Sequence, residues 1–356
     1  MSRIDVLSLD RSEDWRRYAD RLPVANVVYH PSYTSIFEAY GDGRGECFVF
    51  SDGDDVVLYP YIIRSIDPAL QAAAGLSGKV DIITPYGYGG FVHNLPDDAR
   101  AAPLLARFRA AFDDHARSLG AVSEFIRFHP HMANHRHCEG LIDDVRLHEM
   151  NVILDLTKGK DELLAQCRPT HRRYIRRAQD GGLVLCQEPN TTAIDTFFDL
   201  YQRTMKKHNQ VGYLNFRAGF FKILSEKLSD NLLTFTIRMD GEAMAGALFL
   251  VSGKYMDYFL GASHPANLTL HPNHFLFYQV ACWGHDLGYE WLHLGGGSPT
   301  LMFFKGGFSR FREPYYTGRH LHDRDAYRTL SERHWASLGL SWDETSPYFP
   351  AYRYTP

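Results

Sequence analysis

Two runs of β-branched and aromatic residues, Cys47-Phe48-Val49-Phe50 and Val56 through Ile63, flank the acidic turn Asp52-Gly53-Asp54-Asp55 and predict a β-hairpin. Val80-Asp81-Ile82-Ile83 reads as a further strand, followed by the glycine-aromatic loop Pro85-Tyr86-Gly87-Tyr88-Gly89-Gly90-Phe91. Apolar residues at helical spacing (Leu104, Leu105, Phe108, Ala111, Phe112) predict a helix over 101–118, stopped by Gly120 before the strand Phe125-Ile126-Arg127-Phe128.

The second half repeats this order. Residues 150–155 read as a strand, and an arginine-rich helix is expected over about 161–180, ended by Gly181-Gly182. The strand 183–186, a helix over about 191–206 and a helix over 217–228 follow. A second hairpin joins 232–238 to 243–250 through Met239-Asp240-Gly241-Glu242. Strands at 255–260 and 291–294 flank a helix over 273–287. Each half thus gives a hairpin, a strand and loop, a helix and a further strand. That is the order of a mixed sheet flanked by helices, an α/β (α+β) class, present twice.

Composition narrows the function. The chain has 356 residues, 45% hydrophobic and 22% charged, which is ordinary globular composition at a length that favours two domains. No apolar run approaches membrane-spanning length, and residues 1–14 lack the apolar core of a signal peptide, so a cytoplasmic protein without a membrane span is expected. Cys47, Cys138, Cys167, Cys186 and Cys282 form no C-x-x-C pair, which argues against a zinc knuckle, a redox motif or a disulfide framework. His129, His131, His135 and His137 are dense, but Pro130 interrupts them and no familiar metal site is completed; no metal is expected.

A formal net charge of −4 excludes a general polycation, so any nucleic-acid contact must be local. One basic patch stands out: Arg168, Arg172 and Arg176 on one face of the expected helix, with Arg173 and Arg177 beside them and no acidic residue among them.

The densest chemistry follows the last strand of the second half: Leu294-Gly295-Gly296-Gly297, then Phe303-Phe304-Lys305-Gly306-Gly307-Phe308. This predicts a lysine on a glycine-walled loop, where Gly296 and Gly297 free backbone N–H groups to face a ligand and the phenylalanines shed water, strengthening whatever charge interaction the ammonium makes.

These motifs resemble the Fem family of nonribosomal peptidyltransferases, whose halves are each like a GNAT acetyltransferase domain. The likeness covers nearly the whole chain and rests on the 85–90 loop, Ile153-Leu154-Asp155-Leu156 leading to residues 172–178, Tyr258-Phe259-Leu260-Gly261-Ala262-Ser263, and Phe304-Lys305 before Phe308. It implies two tandem GNAT-like domains, 1–148 completed by 318–356, and 149–317. It further implies transfer of an amino acid from aminoacyl-tRNA, as co-substrate and without other cofactor, to the amine of a small molecule or peptide; a monomer or homodimer is expected.

On that reading Lys305 and Tyr258 are catalytic, and Phe304, Tyr86, Tyr88, Tyr213, Gly296 and Gly297 bind substrate. Arg168, Arg172, Arg173, Arg176, Arg177 and Lys207 meet the tRNA. The chain departs from its muropeptide-acting relatives in two ways: the long helical hairpin is absent, and the 32–40 stretch offers Glu38 where those enzymes use a lysine to grip a nucleotide diphosphate. The enzyme alternative is an acyl-CoA N-acyltransferase of the same fold, and the non-enzyme alternative a tandem domain that binds RNA or peptide as an adaptor. Against coenzyme A, the turn 262–273 has no glycine and two prolines where a pyrophosphate needs consecutive N–H donors.

Overall fold

The computed structural model describes residues 2–23, 26–96, 98–209 and 215–356. Contacts divide the chain into two compact units, Met1–His148 together with Tyr315–Pro356, and Glu149–Pro314. In chain order the first unit holds β1 (Ser2–Ser8), α1 (Ser12–Ala19), α2 (Pro31–Tyr40), β2 (Arg44–Asp52), β3 (Asp55–Ser65), α3 (Pro68–Ala73), β4 (Val80–Ile83), β5 (Val92–His93), α4 (Asp98–Ser118) and β6 (Ala121–Arg127). The expected first hairpin is β2–β3, turning on Gly53 at φ 62°, a backbone angle that costs glycine nothing.

The second unit is built from the latter part of β7 (Asp144–Asp155), from Glu149 on, and from α5 (Lys160–Ala165), α6 (Pro169–Asp180), β8 (Val184–Glu188), α7 (Asn190–Lys207), α8 (Ala218–Lys227), β9 (Leu232–Met239), β10 (Glu242–Ser252), β11 (Tyr255–Ser263), α9 (Pro272–Asp286), β12 (Trp291–Gly295) and α10 (Pro299–Lys305). The chain then returns to the first unit through β13 (Arg312–Leu321) and α11 (Arg324–Ser337).

The duplication is visible in the strand pairing. In the first unit β1, β2, β3 and β4 pair antiparallel in turn, β4 pairs β6 in parallel, and β6 pairs β13 antiparallel. In the second unit β8, β9, β10 and β11 pair antiparallel, β11 pairs β12 in parallel, and β12 pairs β7 antiparallel. Each parallel pair needs a crossover, supplied by α4 in one unit and α9 in the other. The last strand of each sheet follows, in sequence, the parallel strand of the other unit.

Each unit buries its own core. Phe48, Tyr59, Phe91, Phe108 and Phe112 pack between sheet and α4 in the first; Phe235, Phe249, Phe277, Val280 and Leu292 between sheet and α9 in the second. Among the described residues no helix is long and apolar enough to cross a membrane.

Two expected elements differ. The arginine helix is two helices, because Pro169, which lacks an N–H, opens α6 as its first residue and Gln166–Arg168 separate it from α5. The Phe-Lys stretch is the last turn of helix α10 and not a loop: Ser298 caps it by accepting from the Leu301 N–H, Pro299 opens it, and Gly306 ends it.

Candidate functional site

The second unit carries a wedge in its sheet. β11 and β12 pair only over Tyr255–Asp257 against Trp291–His293, and beyond this the two strands share no ladder. On its other side β11 is irregular: Leu248 faces Leu260 but Phe249 faces Tyr258, so Phe259 is the extra residue of a bulge. Tyr258 is therefore the first residue past the parallel pairing and sits beside the bulge. Its ring packs on Phe249 and Phe277, with centroids 5.7 and 5.0 Å away. Gly261 makes room for its phenol, since a Cβ there would overlap the Tyr258 hydroxyl.

Lys305 closes this region from α10. The side chain is 3% exposed, its Nζ donates to the Gly296 carbonyl at 2.6 Å, and Nζ stands 5.1 Å from the centroid of the Tyr258 ring. Burial pushes its pKa down to about 8, against the opposing pull of the Glu149 carboxylate. The structure thus unites four predicted residues, Lys305, Tyr258, Gly296 and Gly297, but alters the glycines' part. Gly296 turns its carbonyl to the ammonium, and the Gly297 N–H donates to Glu149 Oε2 at 2.7 Å, so these groups hold the lysine and its loop and do not stand open as oxyanion donors. Gly296 also gives Glu149 its place, because a Cβ there would overlap the carboxylate.

Phe304 is packed on the second core, with its ring against His274 (4.9 Å), Phe308 (5.3 Å), His171 (5.7 Å) and Phe277 (5.7 Å). Helical geometry turns Phe303 outward instead: it is 69% exposed, with the Arg168 guanidinium 4.2 Å from its centroid. The exposed ring beside the site is therefore Phe303, where the sequence had pointed to Phe304. His171 bonds the Phe304 carbonyl through Nε2 at 2.9 Å, and its ring lies 4.6 Å from that of His274. Burial, then His171 and His271, lowers the His274 pKa to about 3, so this packing is of neutral imidazoles.

A cavity of about 940 Å³ opens beside Gly306, the residue after Lys305, and is lined by Lys158, Arg168, Arg172, Arg310 and Arg312. Of the predicted arginines only Arg168 and Arg172 line it; Arg173, Arg176 and Arg177 lie on α6 beyond it, and Lys207 is exposed at the end of α7. Arg172 Nη1 donates to the Ala165 and Cys167 carbonyls at 2.9 and 2.6 Å, bracing the break between α5 and α6. Arg168 Nη1 is buried without a hydrogen-bond partner among the described residues. Burial and the Arg168 charge both lower the Arg312 pKa, the mark of cations crowded without enough anions. Sequence reading missed Lys158, Arg310 and Arg312, although two arginines within four positions of Phe308 were a signal. It also missed Glu149, whose role depends on a contact with Gly297 that no local motif encodes.

The N-terminus of α9 leaves little room for a phosphate cradle. His271 takes the cap position at φ 58°, Pro272 brings no N–H, and Tyr174 stacks on His271 with centroids 3.8 Å apart. Asp257, on the paired part of β11, lies 3.1 Å from His293 Nδ1 through Oδ1.

The remaining predicted residues belong elsewhere. Tyr86 and Tyr88 are in the first unit, where the Tyr86 carbonyl accepts from the Tyr33 hydroxyl at 2.6 Å and Tyr88 packs on Tyr315 and His129. Tyr213 lies outside the described residues. In the histidine-rich stretch, His129 Nε2 accepts from Asn26 at 2.9 Å and His135 stacks on Tyr316.

Residues 165–305 match the family model described as "Acetyltransferase (GNAT) domain". No curated protein matches the chain in sequence. Among solved structures, FemX superposes with a TM-score of 0.69 at 11% identity, over 92% of this chain and 99% of that one. The C-terminal domain of a putative lysylphosphatidylglycerol synthetase from Agrobacterium fabrum gives 0.55 at 16% identity, over 94% and 96%. A tandem GNAT protein from the clavulanic acid biosynthesis pathway gives 0.50 at 9%, over 90% and 98%. With two units of one strand order and a sheet wedge in the second, the chain has the Fem-like tandem GNAT fold, and the stretch that matches the acetyltransferase (GNAT) domain model lies in its second unit.

Proposed function

We propose that the protein is an acyltransferase that moves an amino acid from aminoacyl-tRNA to the amine of a small molecule or peptide. The observation that carries the reading is the buried Lys305 ammonium, held by the Gly296 carbonyl under the Tyr258 ring at the point where β11 and β12 part. In this reaction the acceptor nitrogen attacks the ester carbonyl, the bond to the ribose oxygen breaks, the nitrogen loses a proton and the ribose oxygen gains one. Lys305 has N–H bonds beyond the one given to Gly296, and these serve the oxyanion or the departing oxygen. The acceptor nitrogen passes its proton to solvent or to substrate.

The donor assignment is supported by the neighbourhood of that lysine. A cavity with five cationic side chains opens one residue away and suits the phosphates of a single-stranded RNA 3′ end, while the exposed Phe303 beside Arg168 offers a base a stacking surface. The start of α9, capped by His271 and opened by Pro272, offers a coenzyme A pyrophosphate few donors. Acyl-CoA-dependent N-acyl transfer is the second reading, favoured by the acetyltransferase domain match over 165–305.

One experiment separates them. The purified protein is incubated with a total charged-tRNA pool and a panel of amines, and products are read by mass spectrometry with RNase added or with acyl-CoA as the donor instead. Product that disappears with RNase supports the first reading; product formed from acyl-CoA and indifferent to RNase replaces it with the second.

A further inference from the structure

The first unit gathers a separate group of side chains that the transfer reaction does not use. Asp113 lies on the last turns of α4, His320 on β13, and His322 one residue past its end. His320 and His322 are two apart on an extended strand, so both point to one face of it. There His320 Nε2 and His322 Nδ1 each stand 3.6 Å from Asp113 Oδ1, and one donor atom from each of the three residues falls within 4.8 Å of the others.

The other nitrogen of each imidazole faces a carboxylate. His322 Nε2 donates to the buried Glu124 Oε2 at 3.1 Å, and His320 Nδ1 lies 3.1 Å from Asp143 Oδ2. A carboxylate behind an imidazole fixes its tautomer and raises its basicity, as behind metal-ligating histidines. Here the carboxylates lie on the far side of each ring, which leaves His322 Nδ1 and His320 Nε2 as the nitrogens facing Asp113 Oδ1. Among the described residues, the fully buried His322 side chain has no hydrogen-bond partner at Nδ1, while Asp113 Oδ1 meets Arg109 Nη2 on one side and faces the two imidazoles on the other. A buried acceptor left unpaired is costly unless something occupies the space beside it.

Two donor separations of 3.6 Å and the local charge favour one kind of occupant. Zinc bonds of about 2.0–2.2 Å in tetrahedral geometry place neighbouring donors about 3.3–3.6 Å apart, whereas an octahedral site would bring them to about 3.0 Å. Asp113, Glu124 and Asp143 face two guanidiniums: Arg109, whose Nη2 is 2.5 Å from Asp113 Oδ1 and 2.6 Å from Glu124 Oε2, and Arg324, 2.6 Å from Asp143 Oδ1. The carboxylates outnumber them, and a second lone pair on Asp113 Oδ1 lets Arg109 stay in place beside an ion.

We propose that Asp113, His320 and His322 bind one zinc ion with water as the fourth ligand, clipping the returning strand β13 to helix α4 of the first unit. Residues far apart in sequence are then joined in the folded state alone, so the ion stabilises the unit by the free energy of its binding.

The full chain, stripped with EDTA, is titrated with Zn²⁺ while heat denaturation is followed, and with Co²⁺ while visible absorption is read. The expected result is one zinc per chain by elemental analysis, a midpoint that rises with zinc, and the intense d–d bands of four-coordinate cobalt. Asp113→Asn and His320→Gln should each weaken binding by on the order of 100-fold, while His208→Gln, at an exposed histidine, should not. Zinc or cobalt affinity unchanged in Asp113→Asn and His320→Gln overturns the site, as does a wild-type cobalt spectrum that is absent or six-coordinate. The wild-type spectrum decides the matter even if both variants fail to fold.

Discussion

Lys305 Nζ and the carbonyl oxygen of Gly296 are 2.6 Å apart, so the buried ammonium of the sheet wedge is held by a backbone acceptor and not by a carboxylate. Such a partner fixes the nitrogen's position without neutralising its charge, and the low-polarity surroundings leave that charge available to a developing oxyanion. Glu149, which a direct salt bridge would have employed, instead receives the Gly297 N–H.

Removing the ammonium should therefore cost transfer and not folding. Lys305→Met is expected to lower kcat by about 10²–10³, the loss typical of one oxyanion donor, with KM for charged tRNA little changed. The far-ultraviolet circular dichroism should stay near wild type and the thermal midpoint at pH 7 should not fall, because a methionine of similar length meets Tyr258 without a buried charge. Steady-state kinetics on the variant check this; full turnover would take Lys305 out of the mechanism.

The depressed pKa gives two further signatures of opposite sense. If the ammonium acts as donor, kcat should fall as pH rises through about 8, and the residual rate of Lys305→Met should lack that limb. Stability moves the other way. Between about 8 and the ordinary lysine value of 10.5 the unfolded chain binds this proton more strongly than the folded one, so stability contributed by this group rises with pH across that window. Urea denaturation of wild type and Lys305→Met at pH 7 and pH 10 should show the difference between them changing in favour of the wild type at the higher pH.

How much of this was legible beforehand follows from what each feature depends on. The hairpins β2–β3 and β9–β10 and the helices α4, α7 and α9 were readable because local periodicity and turn residues specify them. Lys305 and Tyr258 were each singled out from their own local sequence, and only the fold brings the ammonium to 5.1 Å from the tyrosine ring. The helical state of Pro299–Lys305 was missed because a seven-residue helix held by one serine cap has almost no periodic signal, and that error carried Phe304 outward in place of Phe303. The α5–α6 break was written in Pro169, outweighed in reading by the run of arginines that follows it. The group formed by Asp113, His320 and His322 is joined only by tertiary structure, so spacing alone did not show it.

The cationic cavity and the outer arginines of α6 should behave differently toward RNA. Arg168→Ala and Arg312→Ala, at the cavity wall, are expected to raise KM for charged tRNA and to reduce the slope of log affinity against log salt by about 0.7 for each phosphate that is no longer neutralised. Arg176→Ala, which faces solvent away from the cavity, should change both much less. Filter binding over a salt series separates the two groups, and equal slopes for all three variants would remove the cavity from tRNA recognition.

Gly261 offers a test of the Tyr258 position that does not touch Lys305. A methyl at residue 261 would overlap the phenol oxygen and come within 2.9 Å of ring atoms Cε2 and Cζ, so Gly261→Ala must push the ring off its place above the ammonium. Overpacking of this kind costs about 1–3 kcal/mol, and turnover should fall with it if the ring positions Lys305 or substrate. Tyr258→Phe removes the atom in closest conflict, so the double variant should regain part of the lost stability, giving a coupling energy of opposite sign to the single losses. Denaturation midpoints of the wild type, both single variants and the double variant measure that coupling; strict additivity would show that the tyrosine does not occupy the space that glycine leaves.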